Sequence, residues 1–174
     1  ILESILGGLR AAKAKFGDAF ECIGIDTWGV DYGLLDKSDK LLGMPYIYRD
    51  SRTEGMQEYV FSRISKDEIY ASTGIQFMFF NTIFQLAADA RANAFDKAET
   101  FLMMPDLIAF MLCGEKVNER TNASTTQCYN PFKRDWDKNI LSKIGAPERL
   151  FKSGFAECGT VIGHLRPELA AQFG

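Results

Sequence analysis

The sequence has little charge imbalance and no long apolar run, and these absences exclude several classes of protein. Its 174 residues carry 20 Lys and Arg against 23 Asp and Glu, a net charge of −3. That balance argues against a general nucleic-acid binder and offers no basic face to anionic lipid. No run is long enough to span a bilayer, and the N-terminus lacks a cationic and then apolar signal pattern. We therefore expect a cytoplasmic protein without nucleic-acid or membrane partners.

Metal-binding and nucleotide-binding patterns are also scarce. The chain has one histidine, His164, and four cysteines without C-x-x-C spacing, so we expect no zinc site and reduced thiols. It lacks the G-x-x-x-x-G-K-[ST] phosphate loop, the G-x-G-x-x-G dinucleotide motif and the G-x-S-x-G nucleophile elbow. The sequence therefore predicts neither a cofactor-binding nor a metal-binding residue within this chain.

The patterns that are present predict an α/β domain. Hydrophobic residues make up 47% of the chain, enough for a sizeable core. Apolar residues at helical spacing predict a helix over Ile1–Lys15, and short apolar runs predict buried strands over 20–25 and 101–104. Val30–Leu35 and Leu41–Tyr48 are typical of a hairpin-like pair of strands. The step from helix to buried strand favours the α/β class with a parallel sheet.

Capping signals place further helices. Ser65 and Glu68 have the spacing of a capping box, and Gly74 predicts the end of that helix. Pro105 and Gly114 suit the first turn and the C-cap of a buried helix between them. Periodicity predicts helices over 56–64, 82–93, 137–144 and 147–151, and a strand over 161–165.

The stretch Cys22–Asp36 carries the densest set of candidate site residues. It starts as an apolar run and continues into Asp26, Trp28, Gly29 and Asp31. Ligands of open α/β sheets lie beyond the carboxyl ends of strands, and Gly29 permits close approach because it has no Cβ. Carboxylates accept hydroxyl hydrogens, so the stretch favours a sugar or polyol pocket with Trp28 as an apolar wall. The alternative is a turn between two strands with an Asp as its local cap.

Two more clusters are candidates for the same pocket. Arg49 and Asp50 belong to a polar cluster suited to a hydroxylated or anionic ligand, or instead to helix capping and surface ion pairs. Phe80 and Asn81 end an aromatic-rich connector that either lines a pocket or belongs to the core.

Six short motifs, taken together and in this order, resemble those of the FGGY family of carbohydrate kinases. They cover most of the chain between Gly24 and His164. The motifs are Ile23–Asp31, Tyr48–Thr53, Thr73–Phe77, Asn81–Thr82, Leu102–Asp106 and Thr121–Gln127.

The resemblance implies a ribonuclease-H-like (actin-like ATPase) α/β fold with two lobes and ATP between them. It implies transfer of the ATP γ-phosphate, with Mg²⁺, to the 1-hydroxyl of L-rhamnulose. Residues 1–174 would be part of the N-terminal domain, lacking its first strands and its end. The glycine-rich phosphate loop would precede Ile1 and the catalytic aspartate would follow residue 174. We therefore expect no catalytic residue in this chain and no activity from it alone.

The resemblance also implies roles for individual residues. Gly29 matches a glycine that contacts the sugar, and Tyr48 matches a Trp that lines the sugar site of glycerol kinases. Phe80 replaces a pocket tyrosine, and Trp28 stands where fuculokinases typically carry Phe. Asp31, Arg49 and Asn81 complete the candidate substrate-binding set.

Two alternatives remain open from the sequence. The first keeps the enzyme class and changes the substrate to another ketose, such as fuculose or xylulose. The second is a non-catalytic lobe that serves as a sugar-binding or protein-interaction module.

Overall fold

The computed structural model describes residues 1–173, which form eight α-helices and six short strands. In chain order these elements are α1 (Leu2–Phe16), β1 (Tyr32–Leu35), α2 (Met56–Phe61), α3 (Lys66–Thr73), α4 (Thr82–Arg91), β2 (Thr100–Met103), α5 (Met104–Cys113), β3 (Val117–Glu119), α6 (Arg120–Ser124), β4 (Tyr129–Asn130), β5 (Asp135–Trp136), α7 (Lys138–Ile144), β6 (Gly154–Ala156) and α8 (Pro167–Phe173). Two 3₁₀ turns cover Ser51–Thr53 and Glu148–Phe151.

The strands of residues 1–173 pair in three two-stranded sheets, of which one is parallel. β1 runs antiparallel to β2, with Tyr32 opposite Met103 and Leu35 opposite Thr100. β3 is parallel to β6, and β4 forms a tight antiparallel pair with β5. Parallel pairing is therefore limited to β3 and β6, whereas β1, which lies in the core, is antiparallel to β2.

The predicted hairpin of residues 30–35 and 41–48 is wrong except for one pair of residues next to the turn. A single bridge joins Leu35 to Leu41, after which the chain leaves the ladder. Gly43 has a φ of 76°, and Pro45 has no N–H to donate, so a regular strand cannot continue there. β1 pairs instead with β2, which lies far along the chain.

The strands predicted over 20–25 and 161–165 are also wrong. Neither segment forms a strand or pairs with one within residues 1–173. An apolar run becomes a strand only when a neighbouring strand completes its backbone hydrogen bonds.

Local signals place the helices as predicted. Ser65 and Glu68 form both bonds of the capping box of α3, and Gly74 ends that helix with a φ of 70°. Pro105 lies in the first turn of α5, and Gly114 ends it with a φ of 89°. The side chain of Asp137 caps α7 by accepting from the backbone N–H of Ile140.

The hydrophobic core holds β1 in place, and the candidate site lies directly before β1 in the chain. The largest cluster of the core joins β1 and β2 to α4 and α7 through fully buried side chains such as Ile83, Phe101 and Leu141. A Cβ on Gly33 would lie 2.6 Å from Leu107 Cδ2, so β1 packs directly against α5. Because β1 is held this closely, the residues immediately before it have a defined position. Among the described helices, none is long and apolar enough to cross a membrane.

Candidate functional site

A cavity of about 1090 Å³ opens beside the segment that precedes β1. Trp28 and Gly29 line it, and side chains of α5 and α6 face them across it. A Cβ on Gly29 would lie 3.5 Å from Thr125 Oγ1 and 3.6 Å from Asn122 Oδ1. The space beside Gly29 is therefore bounded by two polar side chains, and a contact between Gly29 and a sugar stays a prediction.

The next residue, Val30, has an unusual backbone conformation. Its φ is 67°, and the N–H of Asp31 donates to the carbonyl of Gly29 at 2.9 Å, which closes a three-residue turn. A β-branched residue is strained at this φ. Two side chains of α4 hold the turn, because Thr82 Oγ1 and Gln85 Nε2 donate to the Val30 carbonyl at 2.9 and 3.2 Å.

Asp31 lies behind this turn with 1% of its surface exposed. Its Oδ2 accepts from Trp28 Nε1 at 2.7 Å and from the backbone N–H of Tyr48 at 3.2 Å. Its Oδ1 accepts from Gln85 Nε2 at 3.0 Å. Three donors from three segments of the chain therefore surround one buried carboxyl group.

Tyr48 begins a second group of candidate residues. Its ring meets that of Phe80 edge-on, with the centroids 5.5 Å apart, and its hydroxyl accepts from Arg49 Nε at 3.1 Å. A smaller cavity of about 280 Å³ is lined by Arg49 and by Phe79, the neighbour of Phe80. Trp28 and Gly29 thus line the large cavity and Arg49 lines the smaller one, whereas Tyr48 and Phe80 line neither of these two cavities. Asp31 contacts Trp28 of the first group and Tyr48 of the second.

Asn81 is more enclosed than the sequence suggested. It is 4% exposed, and its Nδ2 donates to the Gln76 carbonyl at 2.9 Å and to Gln127 Oε1 at 2.8 Å. One hydrogen bond therefore closes the aromatic-rich connector on itself, and the other holds it to the segment after α6. A contact between Asn81 and a sugar hydroxyl stays a prediction.

Sequence reasoning missed a buried polar chain behind Asp31. Gln85 Oε1 accepts from Arg52 Nη2 at 2.8 Å, Arg52 pairs with Asp89, and Asp89 also accepts from the Tyr32 hydroxyl. Burial raises the pKa of Asp89 more than the charge of Arg52 lowers it, and burial also raises the pKa of Tyr32. The available signal was that Gln85 and Asp89, four residues apart, share the apolar face of α4.

Sequence reasoning also missed Asp106 as a site residue, because it had placed this aspartate only in a family motif and at the start of a helix. Asp106 lines the large cavity and is almost fully buried. Its Oδ1 accepts from the Glu119 backbone N–H at 3.0 Å, and its Oδ2 has no partner within residues 1–173. Burial raises the pKa of Asp106 to about 7, and the nearby Glu119 carboxylate adds to the effect.

Residues 1–173 bring together no group of three or more His, Cys, Asp or Glu side chains that could hold a metal ion. Two carboxyl groups near the candidate site are held by protein partners: Asp31 is bound by three donors and Asp89 by Arg52. No chemical step here is assigned to a metal.

The fold is that of the N-terminal part of carbohydrate kinases, which confirms the predicted ribonuclease-H-like (actin-like ATPase) α/β class. The structure of xylulose kinase from Lactobacillus acidophilus superposes with a TM-score of 0.88 at 20% identity, over 99% of this chain and 36% of that one. Glycerol kinase from Plasmodium falciparum, with ADP, superposes with a TM-score of 0.81 at 18% identity, over 99% of this chain and 37% of that one.

The sequence profile of the FGGY family of carbohydrate kinases, N-terminal domain, matches residues 11–174, and the chain belongs to this family. It is 46% identical to a rhamnulokinase of Oceanobacillus iheyensis, over 100% of the chain and 37% of that protein. It is 48% identical to a rhamnulokinase of Pectobacterium atrosepticum, over 83% of the chain and 29% of that protein. The chain thus spans about a third of the length of these relatives.

Proposed function

We propose that residues 1–174 are part of the N-terminal domain of a longer sugar kinase, which transfers the γ-phosphate of ATP to the 1-hydroxyl of L-rhamnulose. The observation that carries this proposal is the 46% identity, over the whole chain, to a protein named rhamnulokinase. The family assignment supports the broader class of carbohydrate kinase. The protein would act in the cytoplasm, with the sugar as its partner and no nucleic acid or membrane.

The part that this chain plays would be to position the sugar. Five residues would line the sugar site, and we call them the sugar wall. Trp28 and Gly29 make up one side of the site, and Tyr48, Arg49 and Phe80 make up the other. The buried side chains of Asp31 and Asn81 stand behind these five residues. Phosphoryl transfer depends largely on positioning and on electrostatic stabilisation of the transferred group, so a rigid sugar wall contributes directly to rate.

ATP, Mg²⁺ and the proton acceptor would be held by other parts of the kinase. The family relationship and a structural neighbour that contains ADP support the nucleotide. Mg²⁺ would neutralise charge on the transferred phosphoryl group. The catalytic aspartate would lie beyond residue 174, so this chain alone would be inactive.

The test is a coupled ADP-release assay on the protein encoded by the whole reading frame. Purified protein is mixed with ATP, Mg²⁺ and, separately, L-rhamnulose, L-fuculose and D-xylulose. We expect the highest kcat/KM with L-rhamnulose and no turnover by the 174-residue chain. A higher kcat/KM with another ketose would change the substrate, and sugar binding without any turnover would support the non-catalytic module instead.

A further inference from the structure

One oxygen atom connects the two sides of the proposed sugar wall. Asp31 Oδ2 accepts from the Trp28 indole at 2.7 Å and from the Tyr48 backbone at 3.2 Å. Trp28 lines the large cavity, whereas Tyr48 packs on Phe80 and receives the hydrogen bond of Arg49. The position of each side therefore depends on the same carboxylate.

Asp31 has no open side from which to reach a ligand. It is 1% exposed, and its other oxygen accepts from Gln85 Nε2 at 3.0 Å. Hydrogen bonds to a charged acceptor are stronger than neutral ones and are costly to break when the acceptor is buried. The carboxylate is therefore used to hold protein groups in place.

The surrounding structure keeps this carboxylate in position. The strained turn at Val30 directs the chain so that Asp31 enters behind the wall, and Thr82 and Gln85 hold that turn through the Val30 carbonyl. Gln85 is itself oriented by Arg52, whose guanidinium donates to Gln85 Oε1 at 2.8 Å. Such outer contacts fix the geometry of a binding site.

We propose that Asp31 is a positioning residue that joins Trp28 to Tyr48 and so sets the distance between the two sides of the sugar wall. This inference rests on the proposed function, because it assumes that the wall binds a ketose. It differs from a direct contact with the sugar in one measurable respect. The loss of a direct contact penalises only ketoses that carry the contacted hydroxyl, whereas a displaced wall penalises every ketose that the kinase accepts.

The first test is the Asp31→Asn variant of the protein encoded by the whole reading frame. Asn has the same size, but it removes the charge and turns an NH₂ group towards existing donors. We expect the KM for each accepted ketose to rise about tenfold or more, with kcat and the KM for ATP changed less than about threefold. Asp39→Asn is the matched control, because Asp39 is exposed, has a φ of 63° that Asn tolerates, and pairs with Lys116 away from the wall. It should leave all three constants unchanged.

The second test reports on the hydrogen bond itself. In protein labelled with ¹⁵N-tryptophan, the Trp28 indole resonance is assigned by its loss in Trp28→Phe. We expect Asp31→Asn to move this resonance upfield and to speed exchange of its hydrogen with solvent, whereas Asp39→Asn should do neither. This readout needs no kinase activity, so it tests the Asp31 contact even if the wild-type protein phosphorylates no ketose, which would overturn the proposed function alone.

Four results would overturn the inference. They are an unmoved Trp28 resonance, an unchanged ketose KM despite a moved resonance, a rise in KM confined to ketoses that share one hydroxyl, and a loss in kcat as large as the rise in KM. If Asp31→Asn does not fold, Gln85→Met removes the donor on Oδ1 at similar volume. It carries the same expectation of a raised ketose KM with kcat retained, and an unchanged KM would again overturn the inference.

Discussion

The packed body of the chain, residues 32–151, and its two flanking segments, 17–28 and 157–166, differ in what determines their structure. In the body, α3 and α5 end at capping glycines, and apolar side chains are buried in two large clusters. In the segments, Phe20, Ile23 and Val161 stay exposed. The difference shows that local signals suffice for a helix, whereas an apolar run needs a neighbouring strand before it becomes part of a sheet.

The largest expected effect is a loss of folding stability within the packed body. Arg52→Met should lower the free energy of unfolding of the 174-residue chain by about 3–5 kcal/mol, because it leaves the buried Asp89 without its charge partner. Urea denaturation measures this change. Lys116→Met, which breaks the exposed pair with Asp39, should cost less than about 1 kcal/mol. Equal costs would contradict the view that the body depends on this buried polar chain.

The next prediction compares the two regions directly with one substitution. Ile83→Ala should cost about 2–5 kcal/mol, since Ile83 is fully buried. Ile23→Ala should cost less than about 1 kcal/mol in the 174-residue chain, since Ile23 is exposed in its unpaired segment. Denaturant unfolding of both variants provides the comparison. A large loss of stability in Ile23→Ala would contradict the difference between the two regions, because Ile23 would then make core contacts.

Asp106 lies where the two regions meet, and its effect depends on pH. An unfolded Asp releases its proton near 3.8, whereas the folded protein holds it until about pH 7, so the wild type loses stability as pH rises between these values. Asp106→Asn has no such loss. From pH 4 to pH 8 its free energy of unfolding, relative to wild type, should therefore increase by up to about 4 kcal/mol. Thermal or urea unfolding at both pH values tests this, and a constant difference would contradict it.

The smallest prediction tests the local signals of the body. Ser65→Ala should cost about 1 kcal/mol, because it removes the side-chain acceptor of the α3 capping box. Ser38→Ala, in an exposed turn, is the control and should change the midpoint of urea denaturation little. No difference between the two variants would mean that tertiary contacts alone hold α3 in place.

Sequence reasoning succeeded where neighbouring residues determine the structure. Ser65, Gly74 and Gly114 all cap the helices that they predicted. It failed for the partner of β1, because Leu41 is near in sequence and β2 is not. Periodicity describes one element at a time, so it cannot choose among distant strands.

The candidate site divides in the same way. Trp28 and Gly29 line the large cavity, and their predicted contact with a sugar stays a prediction. The three donors on Asp31 could not be predicted, since Gln85 is 54 residues away. The sequence shows that an aspartate is present, but its role depends on which side chains the fold brings to it.

The left-handed backbone at Val30 also has a consequence for how sequences of this family can change in length. Thr82 and Gln85 hold the Val30 carbonyl, so adding or deleting one residue between 30 and 35 would exchange the side chains that β1 presents to its two buried faces. The turn at 36–40 is exposed and can lengthen at little cost. In aligned homologous sequences we expect gaps at this turn and none between positions 30 and 35.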